Sequence, residues 1–92
     1  MLFMTVYTWE PGQRNELVRR RIEKGKLIRE GVKVLGEWTD LGGGRAFSLV
    51  ESDDPKAFMA GTNRWGDLMK VEAVPVIDTE ELMKWAKSRK KV

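Results

Sequence analysis

The sequence predicts an α+β domain: a four-stranded antiparallel sheet threaded βαββαβ, with one further helix at its end. Three observations carry that prediction. Residues 36–51 read as two strands folded back on each other through the glycine-rich turn Gly42-Gly43-Gly44. Glycine reaches positive φ without steric cost, which a short loop between strands needs. Period-two apolar segments stand at Leu2–Trp9 and at about Leu68–Ile77, near the two ends of the chain. Between the strands lie two segments with helix start signals and apolar residues at helical spacing.

In the first strand Leu2, Met4 and Val6 fall on one side and Phe3, Tyr7 and Trp9 on the other. Glu10-Pro11-Gly12 breaks it, and Pro11 suits a first helical position because its missing N–H is not needed there. From Gln13 to about Lys24, Leu17, Val18 and Ile22 form a narrow stripe among charges, with Gly25 as the stop. Residues 26–30 read equally as a helical extension or as a loop carrying Leu27 and Ile28 inward. Gly31 opens a second strand, Val32 to Asp40. If Asp40 faces Arg45 across the turn, Trp38 stands opposite Phe47 and Gly36 opposite Leu49. That register places Val34, Trp38, Phe47 and Leu49 on one face and Leu35, Ala46 and Val50 on the other.

Ser52-Asp53-Asp54-Pro55 is a helix start, with Asp54 able to accept from free N–H groups and Pro55 in the first turn. Phe58, Thr62 and Trp65 make its inward stripe, and Gly66 ends it. The fourth strand contains Pro75, which cannot donate to a ladder, so the strand belongs at a sheet edge. Asp78-Thr79-Glu80-Glu81 has capping-box spacing and opens a helix that turns Leu82, Trp85 and Ala86 inward. With right-handed crossovers this order gives the split βαβ, ferredoxin-like sheet in spatial order 4-1-3-2. Residues 1–92 are expected to form a single domain, of which 78–92 are the terminal helix and a basic tail.

Composition narrows the chemistry. The 92 residues contain no cysteine and no histidine, which removes disulfides, thiolate nucleophiles, imidazole bases and Cys/His metal sites together. No segment approaches the roughly 20 apolar residues that span a bilayer, and the start lacks the basic region of a signal peptide, so a cytoplasmic protein is expected. The net charge of +3 comes from Lys84, Lys87, Arg89, Lys90 and Lys91. The rest of the chain has twelve basic residues against fourteen acidic ones, a net −2. That tail has no interleaved aromatics and no nucleic-acid-binding motif, and reads as a solvated helix end whose cations suit the helix dipole. Neither a nucleic-acid nor a membrane partner is expected.

Gly36-x-Trp38, the Gly42-Gly43-Gly44-Arg45 turn, Phe47 to Glu51, Trp65 and Val74-Pro75-Val76 resemble a small family of uncharacterised prokaryotic domains in the dimeric α/β-barrel superfamily. The resemblance spans roughly residues 2–80 and implies that superfamily's fold. The superfamily includes cofactor-free oxygenases, haem-degrading enzymes, isomerases and ligand-sensing domains, so it implies no single reaction. The axial histidine of haem-handling relatives has no counterpart here.

Tyr7, Trp9, Trp38 and Trp65 are candidates to line a pocket for an apolar or aromatic ligand between helices and sheet, a placement the resemblance favours. The same aromatics could simply fill a small core. Arg45 and Glu51, at the ends of the hairpin, are the polar groups that could orient a ligand. The glycine turn is followed by a strand rather than a helix N-terminus, so it is not a phosphate loop. Asp53-Asp54 is explained by capping, no metal ligands or catalytic residues stand out, and no cofactor is called for. The leading reading is a small-ligand-binding domain. A cofactor-free oxygenase or isomerase would use the same pocket with Glu51 as base, which requires that carboxylate to be buried. A structural or interaction module is the third class. Finally, both faces of every strand carry bulky apolar residues, whereas two crossover helices cover one face only. A homodimer joined sheet to sheet is therefore expected.

Overall fold

The computed structural model describes residues 1–26 and 30–89. Its elements are β1 (Leu2–Thr8), a 3-10 turn (Pro11–Gln13), α1 (Arg14–Lys24), β2 (Lys33–Thr39), β3 (Arg45–Glu51), α2 (Pro55–Asn63), β4 (Lys70–Val76) and α3 (Thr79–Arg89). The strands form one antiparallel sheet in the order β2-β3-β1-β4, the ferredoxin-like arrangement, with the proline-containing strand at an edge. The segment carrying Leu27 and Ile28, and the tail lysines Lys90 and Lys91, lie outside the described residues.

Local chemistry accounts for the boundaries. The Asp54 carboxylate accepts from the N–H groups of Lys56 and Ala57, and the Asp78 carboxylate from those of Glu80 and Glu81, so both helices begin on a side-chain cap. Gly25, at φ 68°, ends α1. In the hairpin turn Gly43 and Gly44 take φ of 87° and 81°. The Asp40 carboxylate accepts from Gly42 N–H at 2.8 Å and from Arg45 Nε at 3.1 Å, fixing the turn from inside.

The hairpin register is the expected one, Trp38 opposite Phe47 and Gly36 opposite Leu49. A bulge between Val34 and Gly36 changes two assignments: Val34 pairs with Val50, so it shares the helix-covered face, and Leu35 is the extra residue, 45% exposed. Val34 and Leu35 therefore exchange the roles that strict alternation gives them. Trp65 is also placed differently. The helix α2 ends at Asn63, and Trp65 sits in the following turn, its N–H donating to the Thr62 carbonyl. It is still buried, at 9% exposure.

Helix packing follows from parity. Phe3, Thr5, Tyr7, Ser48 and Val50 face the helices, and the Phe3 and Phe58 rings meet at 4.5 Å. The Arg20 guanidinium ties α1 to the turn after α2. It donates to both Asp67 carboxylate oxygens at 2.8 and 2.7 Å and to the Arg64 carbonyl at 2.9 Å, and it lies 5.6 Å from the Trp65 ring centre. In α3 Ala86 is buried as expected, but Trp85 is 56% exposed and Leu82 is also exposed. The long axis of the molecule is 52 Å and its shortest extent only 17 Å. Leu82, Met83 and Trp85 leave much of the apolar surface of α3 open to solvent.

Candidate functional site

Between α1 and the helix-facing side of the sheet lies a cavity of about 470 Å3. Its floor is Tyr7, Ala46 and Ser48, and Leu17 and Val18 of α1 form one wall. Trp9 and Trp65 line it as well. The sequence makes this space: Ala46 and Ser48 are the small residues of β3, and the stripe on α1 is too narrow to fill what they leave. A smaller recess of about 60 Å3 shares Tyr7, Val34 and Trp65 with the main cavity and extends to Thr5 and to Phe58 of α2.

The polar groups are of two kinds. Charged ones border the cavity on α1 and β2. Arg21 donates to both Glu37 carboxylate oxygens at 3.0 Å each, and the Lys26 ammonium lies 3.6 Å from the same carboxylate. The Arg21 hydrogen bonds hold the Glu37 carboxyl below the usual carboxylate range, against the opposing effect of partial burial. Deeper in, the groups are neutral hydroxyls. Burial pushes the Tyr7 phenol above its ordinary value; the adjacent Ser48 hydroxyl draws it back in part, and the negative charge of Glu37 adds to the rise. Ser48 influences the phenol through proximity, yet its Oγ makes no hydrogen bond of acceptable length and angle, and neither does Thr5 Oγ1 across the strand pair.

Of the six residues expected at a ligand site, Tyr7, Trp9 and Trp65 come together around the cavity. Trp38 also borders it, but its indole lies across Gly36 on the opposite face of the sheet, level with Phe47. A Cβ on Gly36 would stand 2.6 Å from Trp38 Cη2, which shows how closely the ring covers that glycine. Arg45 and Glu51 are not part of the cavity: Arg45 pairs with Asp40 and lies 5.5 Å from the Phe47 ring centre, and Glu51 is exposed at the end of β3. Each faces away from the helices because odd positions of β3 point to the open side. Two residues enter that sequence reasoning passed over, Glu37 and Ser48. The expected register itself sets them opposite each other, and parity then puts both on the helix-covered face.

Neither carboxylate meets the need of a general base for the oxygenase or isomerase reading. Glu51 is exposed at the end of β3, outside the cavity, and the Arg21 hydrogen bonds lower the Glu37 pKa and so weaken it as a proton acceptor. Among the described residues no group of three or more Asp, Glu, His or Cys side chains is arranged to hold a metal ion. No helix among them is long and apolar enough to cross a membrane.

Comparison with known proteins agrees with this architecture. Residues 1–90 match the family model described as Domain of unknown function (DUF3303). The chain belongs to this family. A search of curated proteins found no match to the sequence. Among solved structures, an uncharacterised NIPSNAP domain protein from Burkholderia xenovorans superposes with a TM-score of 0.53 at 19% identity, over 85% of this chain and 94% of that one. A second, described as a putative antibiotic biosynthesis monooxygenase from Deinococcus radiodurans, gives 0.49 at 14% identity over the same shares. The NIPSNAP likeness supports the ferredoxin-like fold of this DUF3303 chain; identities this low say nothing of its chemistry.

Proposed function

We propose that this DUF3303 domain binds a small apolar or aromatic molecule in the cavity between α1 and the sheet, and that it works as a cytoplasmic homodimer. The observation that carries the binding reading is the cavity itself. A space of about 470 Å3 lies within the usual range of small-molecule sites. Aromatic and aliphatic side chains make up most of its wall; Tyr7, Ser48 and Thr39 are its neutral polar members, and Arg14, Arg21, Lys26 and Glu37 its charged ones. A chain without cysteine suits a reducing compartment.

The dimer rests on the other face. Leu2, Met4, Val6, Trp38, Phe47, Leu49, Val74 and Val76 share the side of the sheet that no crossover helix covers. Trp38 and Val74 are 56% and 43% exposed. The accessible surface of the chain is 7014 Å2, whereas a compact monomer of 10.6 kDa should expose roughly 5,500 Å2. A second copy related by a two-fold axis would cover the apolar face with the same surface. Light scattering coupled to size exclusion should give twice the chain mass at micromolar concentration; a stable species of single-chain mass would rule the dimer out. For the ligand, small aromatic compounds should quench tryptophan emission saturably, and Trp65→Ala should remove part of that response. A broad compound screen without a saturable binder would leave Trp9 and Trp65 as core residues only.

A further inference from the structure

We infer that the molecule taken up by this cavity carries an uncharged oxygen, as a carbonyl or hydroxyl, and that the hydroxyls of Ser48 and Thr5 receive that end of it. This deepens the binding reading above and rests on it. Thr5 and Ser48 are cross-strand partners in the middle of the sheet, 1% and 3% exposed, and both hydroxyl oxygens lack a hydrogen-bond partner within the protein. A buried polar group left unpaired is costly, and adjacent orphans at the floor of a cavity are positions that a visiting polar atom would satisfy. Ser48 lines the main cavity, and Thr5 lines the recess that shares Tyr7, Val34 and Trp65 with it.

The charge pattern selects a neutral group. Arg14, Arg21, Lys26 and Glu37 line the space, but Arg21 and Lys26 already pair with Glu37 and their side chains are 44% and 53% exposed. Arg14 is likewise exposed. The uncharged polar groups at the floor are Tyr7 and Ser48, with Thr5 in the recess, and the phenol is protonated at neutral pH. A carboxylate driven to that depth would lose its hydration without gaining a cation, whereas a carbonyl or hydroxyl can exchange hydrogen bonds with three neutral hydroxyls.

The test compares 2-naphthol with naphthalene by equilibrium dialysis, on the full chain and on Ser48→Ala and Thr5→Val. The full chain should prefer 2-naphthol, and each variant should lose about fivefold to tenfold in affinity for it while holding naphthalene as before. The melting temperature without ligand supplies a second readout of opposite sign. Removing a hydroxyl that has no partner should leave stability unchanged or raise it, even as naphthol binding weakens. Equal affinity for both compounds, or equal losses in the variants, would assign the hydroxyls to water and overturn the inference while leaving the cavity a binding site. A marked fall in the melting temperature of both ligand-free variants would show the hydroxyls already satisfied in the fold, and would overturn the inference in the same way. Binding of neither compound would sink the cavity reading and this inference with it.

Discussion

The two faces of the sheet are built from the same four strands and differ by one residue of parity. On the helix-covered side, the central strands bring small and hydroxylic residues together: Thr5, Tyr7, Ala46, Ser48. On the open side the same strands present Met4, Val6, Phe47 and Leu49, an unbroken apolar centre, with Thr8 and Arg45 towards one end and Glu51 at the other. The covered face is therefore the less hydrophobic of the two at its centre, the reverse of what a solitary sheet with one wet side should show. Bulky apolar residues lie where no crossover helix packs, and residues that leave space lie beneath the helices. That inversion supports the proposed division of tasks, with the open face for assembly and the covered face for a ligand.

The largest expected effect comes from breaking the open face. Val6→Asp puts a charge at its centre and should abolish the dimer, read as a halved mass in light scattering or as loss of soluble protein. Thr8→Asp, on the same face but at its exposed end, is the control and should assemble normally. If Val6→Asp eluted as an intact dimer, the assembly would have to use another surface. On the covered face, Trp65→Ala should lower stability by about 3–5 kcal/mol, since it removes a buried ring together with the platform of Arg20. Denaturant unfolding measures this, and a loss below about 1 kcal/mol would mean that the ring contributes little packing beyond bordering the cavity.

A smaller effect sharpens the same contrast through pH. Glu37 has its folded pKa lowered by Arg21, so its contribution is present above its ordinary value near 4.5 and is lost as the pH falls through the lower folded value. Partial exposure of both side chains keeps this to at most about 1 kcal/mol. Glu37→Gln should therefore be less stable than the parent near neutrality and converge with it in acid. Asp40 and Asp67 are shifted in the same direction, so the variant removes only part of the acid dependence. Parallel curves at all pH values would show the Arg21–Glu37 pair to be energetically silent. The smallest effect is reserved for the tail. Deleting residues 88–92 should leave stability within about 0.5 kcal/mol and the assembly unchanged, by thermal unfolding and light scattering.

The sheet was legible because its signals are local and redundant: a glycine turn, two aspartate caps ahead of helices, and a proline that must sit at an edge. The hairpin register was legible too, since Asp40 and Arg45 both close the turn. The site was legible only in part. The aromatic character of Tyr7, Trp9 and Trp65 pointed to residues that line the cavity, whereas Arg45, Glu51 and the Trp38 ring fall on the other face of the sheet by parity. Composition does not record which face a helix covers. Ser48 was invisible for a different reason: a serine in a strand is commonplace until its neighbours are known, and only the structure shows that nothing answers its hydroxyl. The bulge at Leu35 had no sequence signal beyond the following glycine, and it reversed two assignments.

That glycine has a reach beyond its own strand. The Trp38 indole lies flat over Gly36 because there is no side chain to hold it off, and a methyl group there would meet the ring at a separation that real atoms do not adopt. Alanine at 36 would tip the indole up from the sheet and turn a smooth margin into a ridge. Position 36 is thus held to glycine for as long as the Trp38 indole lies across it. A variant that loses the glycine and keeps the tryptophan would present a differently contoured face to the proposed second copy.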